Sequence, residues 1–133
     1  MTLADAQSMV RGFFGALGIS SPGLTPKGLG GAAVDATPVA FKFEADVLRC
    51  LAVVFRFREP ATPQVLEQLM AYDQTHGLSD ARGKLVYDAE SLLLAVERTY
   101  SKPITAKELA PELLELVRRA VQWSSEGVFE AMR

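Results

Sequence analysis

Few side chains in this sequence are of the kinds that perform chemistry, and those few stand alone. There is one cysteine, Cys50, and one histidine, His76. A hydrolytic or transfer centre needs a nucleophile beside a base, and a zinc site needs several N, S or O ligands at short spacing. Cys50 lies inside the apolar run Cys50–Phe55, where burial raises a thiol's pKa and leaves it inert. Asp73 precedes His76 by three residues, about one helical turn, which is close enough for an acid–imidazole pair. No third group stands nearby, and a histidine in the last turn before Gly77 is accounted for by the helix dipole.

The glycines offer phosphate chemistry only in outline. Gly28-x-Gly30-x-x-Ala33 has the spacing of a relaxed dinucleotide-binding turn. That turn needs a strand before it and a helix N-terminus after it, so that backbone amides can point at a pyrophosphate. Here Pro22 and Pro26 precede it and Val34–Pro38 follows. Gly23 and Gly28 have phosphate-loop spacing, but Leu29 stands where the lysine belongs. Phe55-Arg-Phe-Arg58 interleaves aromatics and bases as single-strand RNA binders do, without the glycines of that fingerprint. Strand alternation assigns its two Phe to the core and its two Arg to solvent. Glu108, Glu112 and Glu115 share one helix stripe, with Arg118 and Arg119 answering Glu115, as on an ordinary solvated face. No catalytic, cofactor-binding or metal-binding residue is assigned.

Composition bounds the remaining classes. The chain has 133 residues, 14 basic and 16 acidic, for a net charge of −2, which lacks the basic signature of a nucleic-acid binder. At 49% hydrophobic and 23% charged it is too apolar for a disordered linker, and its length suits one domain over residues 1–133. One cysteine excludes an internal disulfide. The uncharged stretch Gly12–Leu24 is broken by Ser20-Ser21-Pro22-Gly23 and falls short of a membrane span. An acid, Asp5, comes before any Lys or Arg, unlike a secretory signal, so a cytoplasmic location is expected.

The elements that position these residues follow from period and punctuation. Ala6, Val10, Phe13, Phe14 and Leu17 recur at helical spacing, with Thr2 as N-cap and Gly18 as stop; Gly12 and Gly15 weaken this helix unless it is packed. Residues 18–31 read as a Gly/Pro-rich loop. Strands are expected at Ala32–Thr37, Val39–Glu44 and Val47–Arg58, the last two joined by a hairpin turn at Ala45-Asp46. Thr62 caps a second helix with Pro63 at its first position, an apolar stripe of Val65, Leu66, Leu69 and Met70, and His76-Gly77 at its end. Strands at Lys84–Asp88 and Leu92–Arg98 follow. Thr105-Ala-Lys-Glu108 is a capping box opening the last helix, with Ile104 and Leu109 at the staple positions. Its buried face is expected to run through Leu113, Leu116, Val117, Ala120, Val121 and Ser124, with a kink or restart at Pro111. The order α-β-β-β-α-β-β-α, with short links between strands, specifies an α+β fold: a mostly antiparallel five-stranded sheet with three helices.

Two strands are apolar on both faces: Cys50-Leu-Ala-Val-Val-Phe55 and Leu92-Leu-Leu-Ala-Val96. An antiparallel sheet with one wet side alternates, so both sides must be covered. Either three helices are split between the faces, or a second copy covers one of them. The homodimer is the preferred expectation, and the candidate protein-interaction residues are Leu48, Cys50, Ala52, Val54, Leu69 and Leu93.

The element order resembles that of the class I type III secretion chaperones and of the YbjN-type regulators that share their fold. The residues that carry the likeness are Val65-Leu-Glu-Gln-Leu-Met-Ala-Tyr72, Gly83-Lys-Leu-Val-Tyr-Asp88, Leu92-Leu-Leu-Ala-Val-Glu97, Ile104-Thr-Ala-Lys-Glu-Leu109 and Ala120-Val-Gln-Trp123. The resemblance implies a small cytoplasmic homodimer without enzymatic activity or cofactor, which binds an extended segment of a client protein. It also implies that the second helix and the 84–98 hairpin contribute to the dimer interface. No nucleic-acid or membrane partner is expected. The alternatives are a YbjN-like regulatory protein, or a small-ligand-binding or enzymatic domain using the Gly-rich loop and the Asp73/His76 pair.

Overall fold

The computed structural model describes residues 1–127. Helix α1 (Leu3–Ala16) starts at Thr2, whose hydroxyl accepts the Asp5 N–H while the Asp5 carboxylate accepts the Thr2 N–H, a complete reciprocal cap. Strands β1 (Leu29–Val34), β2 (Thr37–Glu44) and β3 (Val47–Arg56) form a meander. Both of its turns, Asp35-Ala36 and Ala45-Asp46, hold two residues at positive φ, the twist that suits a two-residue hairpin. Helix α2 (Pro63–His76) runs from Thr62 to a left-handed Gly77. Strands β4 (Lys84–Asp88) and β5 (Leu93–Tyr100) and helix α3 (Ala106–Gln122) follow, and α3 widens into a π turn at Trp123–Gly127.

The sheet order is β1-β2-β3-β5-β4, antiparallel at every pairing. The α+β architecture read from the sequence is the one observed. Helix α3 lies across β3 and β5, α1 packs on α3 and β2, and α2 meets the sheet at β4. Leu48, Cys50, Ala52 and Val54 of β3 face these helices, in one cluster with Phe13, Phe14, Phe41, Leu94 and the Leu109–Leu113–Leu116–Ala120 stripe. Phe13, Phe14 and Phe41 meet ring to ring at 5.4–6.0 Å. Gly12 proves to be the contact point of two helices. A Cβ there would stand 2.9 Å from the Cβ of Ala106, so the packing of α1 on α3 requires what helix propensity disfavours.

Several boundaries and faces differ from expectation. The loop ends at Gly28, not at residue 31, and the first strand is Leu29–Val34, because the turn falls at Asp35-Ala36. Helix α3 continues through the exposed Pro111 without a restart; the lost N–H deprives only the carbonyl of exposed Lys107, which water can serve. Val121 is 46% exposed and Ser124 is exposed, while Trp123 is buried in their place. The stripe advances 109-113-116-120-123, and Val121 stands about 100° off it.

Candidate functional site

The six candidate interaction residues lie inside the chain. Leu48, Cys50 and Ala52 are fully buried, and Leu69, Leu93 and Val54 expose no more than 8% of their surface. Five of them belong to the helix-covered core. Burial pushes the Cys50 thiol well above its ordinary range, so it is no nucleophile.

Leu93 belongs to the other face, together with Leu51 and Ala95, all three buried and none of them in the helix-side cluster. This is the doubly apolar feature for which a covering partner was expected. The chain covers it with its own polar side chains. Lys42 of β2 pairs with Asp88 of β4, and Arg49 of β3 pairs with Glu97 of β5 at 2.6 Å and with Glu44 at 3.1 Å. By register, Lys42, Arg49, Leu51, Ala95, Glu97 and Asp88 all project on this side. Strands β2 and β4 are separated by β3 and β5, about 14 Å apart in a flat sheet. A direct Lys42–Asp88 contact therefore means that this face is concave, with its far strands curled toward each other. The Lys42 ammonium holds the Asp88 carboxyl below the usual carboxylate range, helped by the Ser91 hydroxyl at 2.7 Å.

The Gly-rich loop binds its own helix. Gln7 grips Leu24 from both sides, its amide donating to the Leu24 carbonyl at 2.8 Å and its carbonyl accepting the Leu24 N–H at 2.6 Å. Gly28 has φ +80°, and a Cβ there would stand 2.6 Å from the Phe43 carbonyl oxygen. The space beside Gly30 is filled by the carbonyl of Gly23. These glycines permit chain-on-chain packing and leave no open cradle for a phosphate.

Asp73 and His76 do not form a dyad. Asp73 is buried, and its Oδ2 accepts the Ser79 hydroxyl at 2.6 Å; Ser79 in turn accepts the Leu85 N–H, tying α2 to β4. His76 is exposed, and its ring stacks on Tyr72 with centroids 4.0 Å apart. Its Nδ1 lies 2.9 Å from the Tyr72 carbonyl, which can only accept, so Nδ1 carries the proton. A cleft of about 400 Å³ beside His76 is lined by Tyr72, Asp80, Glu115, Arg119 and Trp123. Its charges are paired internally: Arg119 donates to both Asp80 oxygens at 2.8 and 3.2 Å, and that hydrogen-bonded guanidinium holds the Asp80 carboxyl at about 2.

Exposed apolar surface lies elsewhere. Phe55 is 47% exposed, which corrects its assignment to the core, and Phe57 is only half-buried. On α2, Val65, Leu66 and Met70 are also half-buried. The sequence flagged α2 by its stripe, but the side of the sheet on which Phe55 stands follows from a β-bulge that no residue pattern announced. Among the described residues no helix is long and apolar enough to cross a membrane.

No protein-family model matches this sequence, and no curated protein matches it. Solved structures do share its fold. A chain of the ExsC–ExsE complex superposes with a TM-score of 0.69 at 16% identity, covering 93% of this chain and 94% of that one. A chain of the HopA1–SchA chaperone–effector complex gives 0.63 at 14% identity, over 94% and 98% of the two chains. A chain of the ExoT–SpcS complex from Pseudomonas aeruginosa gives 0.55 at 14%, over 90% and 96%. The fold resemblance read from the sequence is thus a resemblance in three dimensions over nearly the whole chain.

Proposed function

We propose that this chain is a secretion-chaperone-like protein-binding module, a cytoplasmic homodimer without enzymatic activity that holds a segment of a partner polypeptide. One observation carries the reading: end-to-end likeness of fold to chains from three different two-protein complexes, one of them a chaperone–effector complex. The side-chain chemistry agrees with it, since the buried thiol, the separated Asp73 and His76 and the filled glycine loop leave the apolar surface as the feature in want of a use. The dimer contact is assigned to α2 and the β4–β5 hairpin. Helix α2 buries only Leu69 and Asp73 within the chain and leaves Val65, Leu66 and Met70 half-covered, a stripe that a second copy would complete. Of the six interaction residues read from the sequence, Leu69 stands on α2 and Leu93 on β5, both buried within the chain, and the other four lie on β3.

Light scattering behind a sizing column and affinity capture from the native cell test the two halves of this proposal. A dimer that Leu66→Glu converts to a folded monomer supports the assembly, and a monomer of the wild type at micromolar concentration overturns it. One stoichiometric protein partner, protected from hydrogen exchange along an extended segment, supports the binding role. A small molecule bound near His76 and lost on His76→Ala, with no protein partner, replaces it.

A further inference from the structure

We infer that the cleft beside His76 is a binding site for a small, uncharged aromatic molecule that carries an amide or lactam edge. The site does not rest on the protein-binding reading, whose contacts on α2 are assigned to Val65, Leu66 and Met70.

The cleft lies where the end of α2, the loop leading to β4 and the end of α3 meet. Its volume of about 400 Å³ falls in the range of small-molecule sites. Three rings line it. Tyr72 stacks on His76 with centroids 4.0 Å apart and meets Trp123 edge-on at 5.6 Å, so a flat apolar group finds aromatic walls. Trp123 is only 4% exposed, yet its Nε1–H donates to no acceptor among the described residues. Among those residues the one polar side-chain atom shut off from water without a partner is Asp73 Oδ1. The indole N–H is therefore open, on a side chain that borders the cleft. An indole can only donate, and a buried one normally has an acceptor. His76 offers the complement. Its Nδ1 donates to the Tyr72 carbonyl, which leaves Nε2 of the neutral ring as a free acceptor.

Charge selects against ions. Arg119 donates to both Asp80 oxygens at 2.8 and 3.2 Å and stands 3.7 Å from Glu115, whose other oxygen takes Arg118 at 2.7 Å. Two acids and two arginines cancel, and an entering cation or anion would have to break one of these pairs to gain a partner. What remains without a counterpart is one donor, one acceptor and the aromatic walls. A ring bearing an amide or lactam supplies an acceptor for the indole and a donor for the imidazole, with no charge to desolvate.

Trp123 is the only tryptophan in the chain, so the single indole N–H resonance of a ¹⁵N-labelled sample reads the cleft directly. Three probes of nearly equal size separate the chemistry: benzamide, benzoate and benzylammonium. Benzamide is expected to shift that resonance saturably, and the two ions to bind about tenfold or more weakly. His76→Ala alters an exposed position, so its circular dichroism should match wild type while benzamide binds about fivefold more weakly, as on losing one hydrogen bond. An indole resonance that none of the probes moves overturns the inference. So does a benzamide affinity that His76→Ala leaves unchanged. Benzoate or benzylammonium binding as tightly as benzamide also overturns it, in favour of a charged ligand.

Discussion

Lys42→Met removes the lysine that closes the concave face. The side chains of Lys42 and Asp88 are 19% and 12% exposed, so the pair is neither a surface bridge nor a fully buried one. Exposed pairs contribute up to about 1 kcal/mol, and taking one member from a buried pair costs about 3–5 kcal/mol. The stranded Asp88 would keep its hydrogen bonds from the Ser91 hydroxyl and the Glu90 N–H, which moderates the loss. The expected destabilisation is therefore about 2 kcal/mol, read by urea unfolding, and a fall in Tm of about 8 °C for a domain of this size. Adding Asp88→Asn should return part of it by removing the uncompensated charge. The pH dependence has a definite sign. Because Lys42 lowers the folded-state pKa of Asp88, the pair's contribution is fully present above the ordinary carboxylate value and disappears as pH falls through the lowered one. In Lys42→Met that acid-side loss should shrink. A variant within about 0.5 kcal/mol of wild type, the range of an inconsequential surface change, would refute the reasoning. So would a wild-type Tm that climbs with protein concentration while the substitution changes nothing, since a partner and not the ion pair would then be covering Leu51 and Leu93.

Three further substitutions or probes follow from the same geometry. Thr105→Ala should cost about 1 kcal/mol by thermal unfolding, because the Thr105 hydroxyl accepts the Glu108 N–H at the start of α3; an unchanged Tm would place the cap elsewhere. Gly28→Ala should cost about 2 kcal/mol or more, since it combines a positive φ with a Cβ 2.6 Å from the Phe43 carbonyl oxygen; an unaltered denaturation midpoint would contradict the close approach. Cys50 should react with a thiol reagent only as fast as the chain unfolds; rapid stoichiometric labelling of the native protein would show that its burial is not maintained.

What the sequence alone determined is what short stretches of chain decide. Thr2, Thr62 and Thr105 are helix caps because a hydroxyl satisfies an amide two or three residues on. Pro63 and Gly77 bracket α2, and Ala45-Asp46 turns the β2–β3 hairpin. With the element order in hand, the antiparallel α+β architecture follows from connection length. The chemistry of the lone Cys and His was also legible, since their isolation is a property of composition. The tertiary structure decided how the doubly apolar strands are hidden. The answer depends on Lys42 meeting Asp88 across 46 residues and Arg49 meeting Glu97 across 48, which curvature brings about and spacing does not encode. It also decided the side on which Phe55 emerges, because one extra residue at a bulge moves every later side chain to the opposite face. Periodicity reports which residues alternate; only the packed sheet, with its twist, bulge and cross-strand charges, settles which of the two faces meets the core and which meets water.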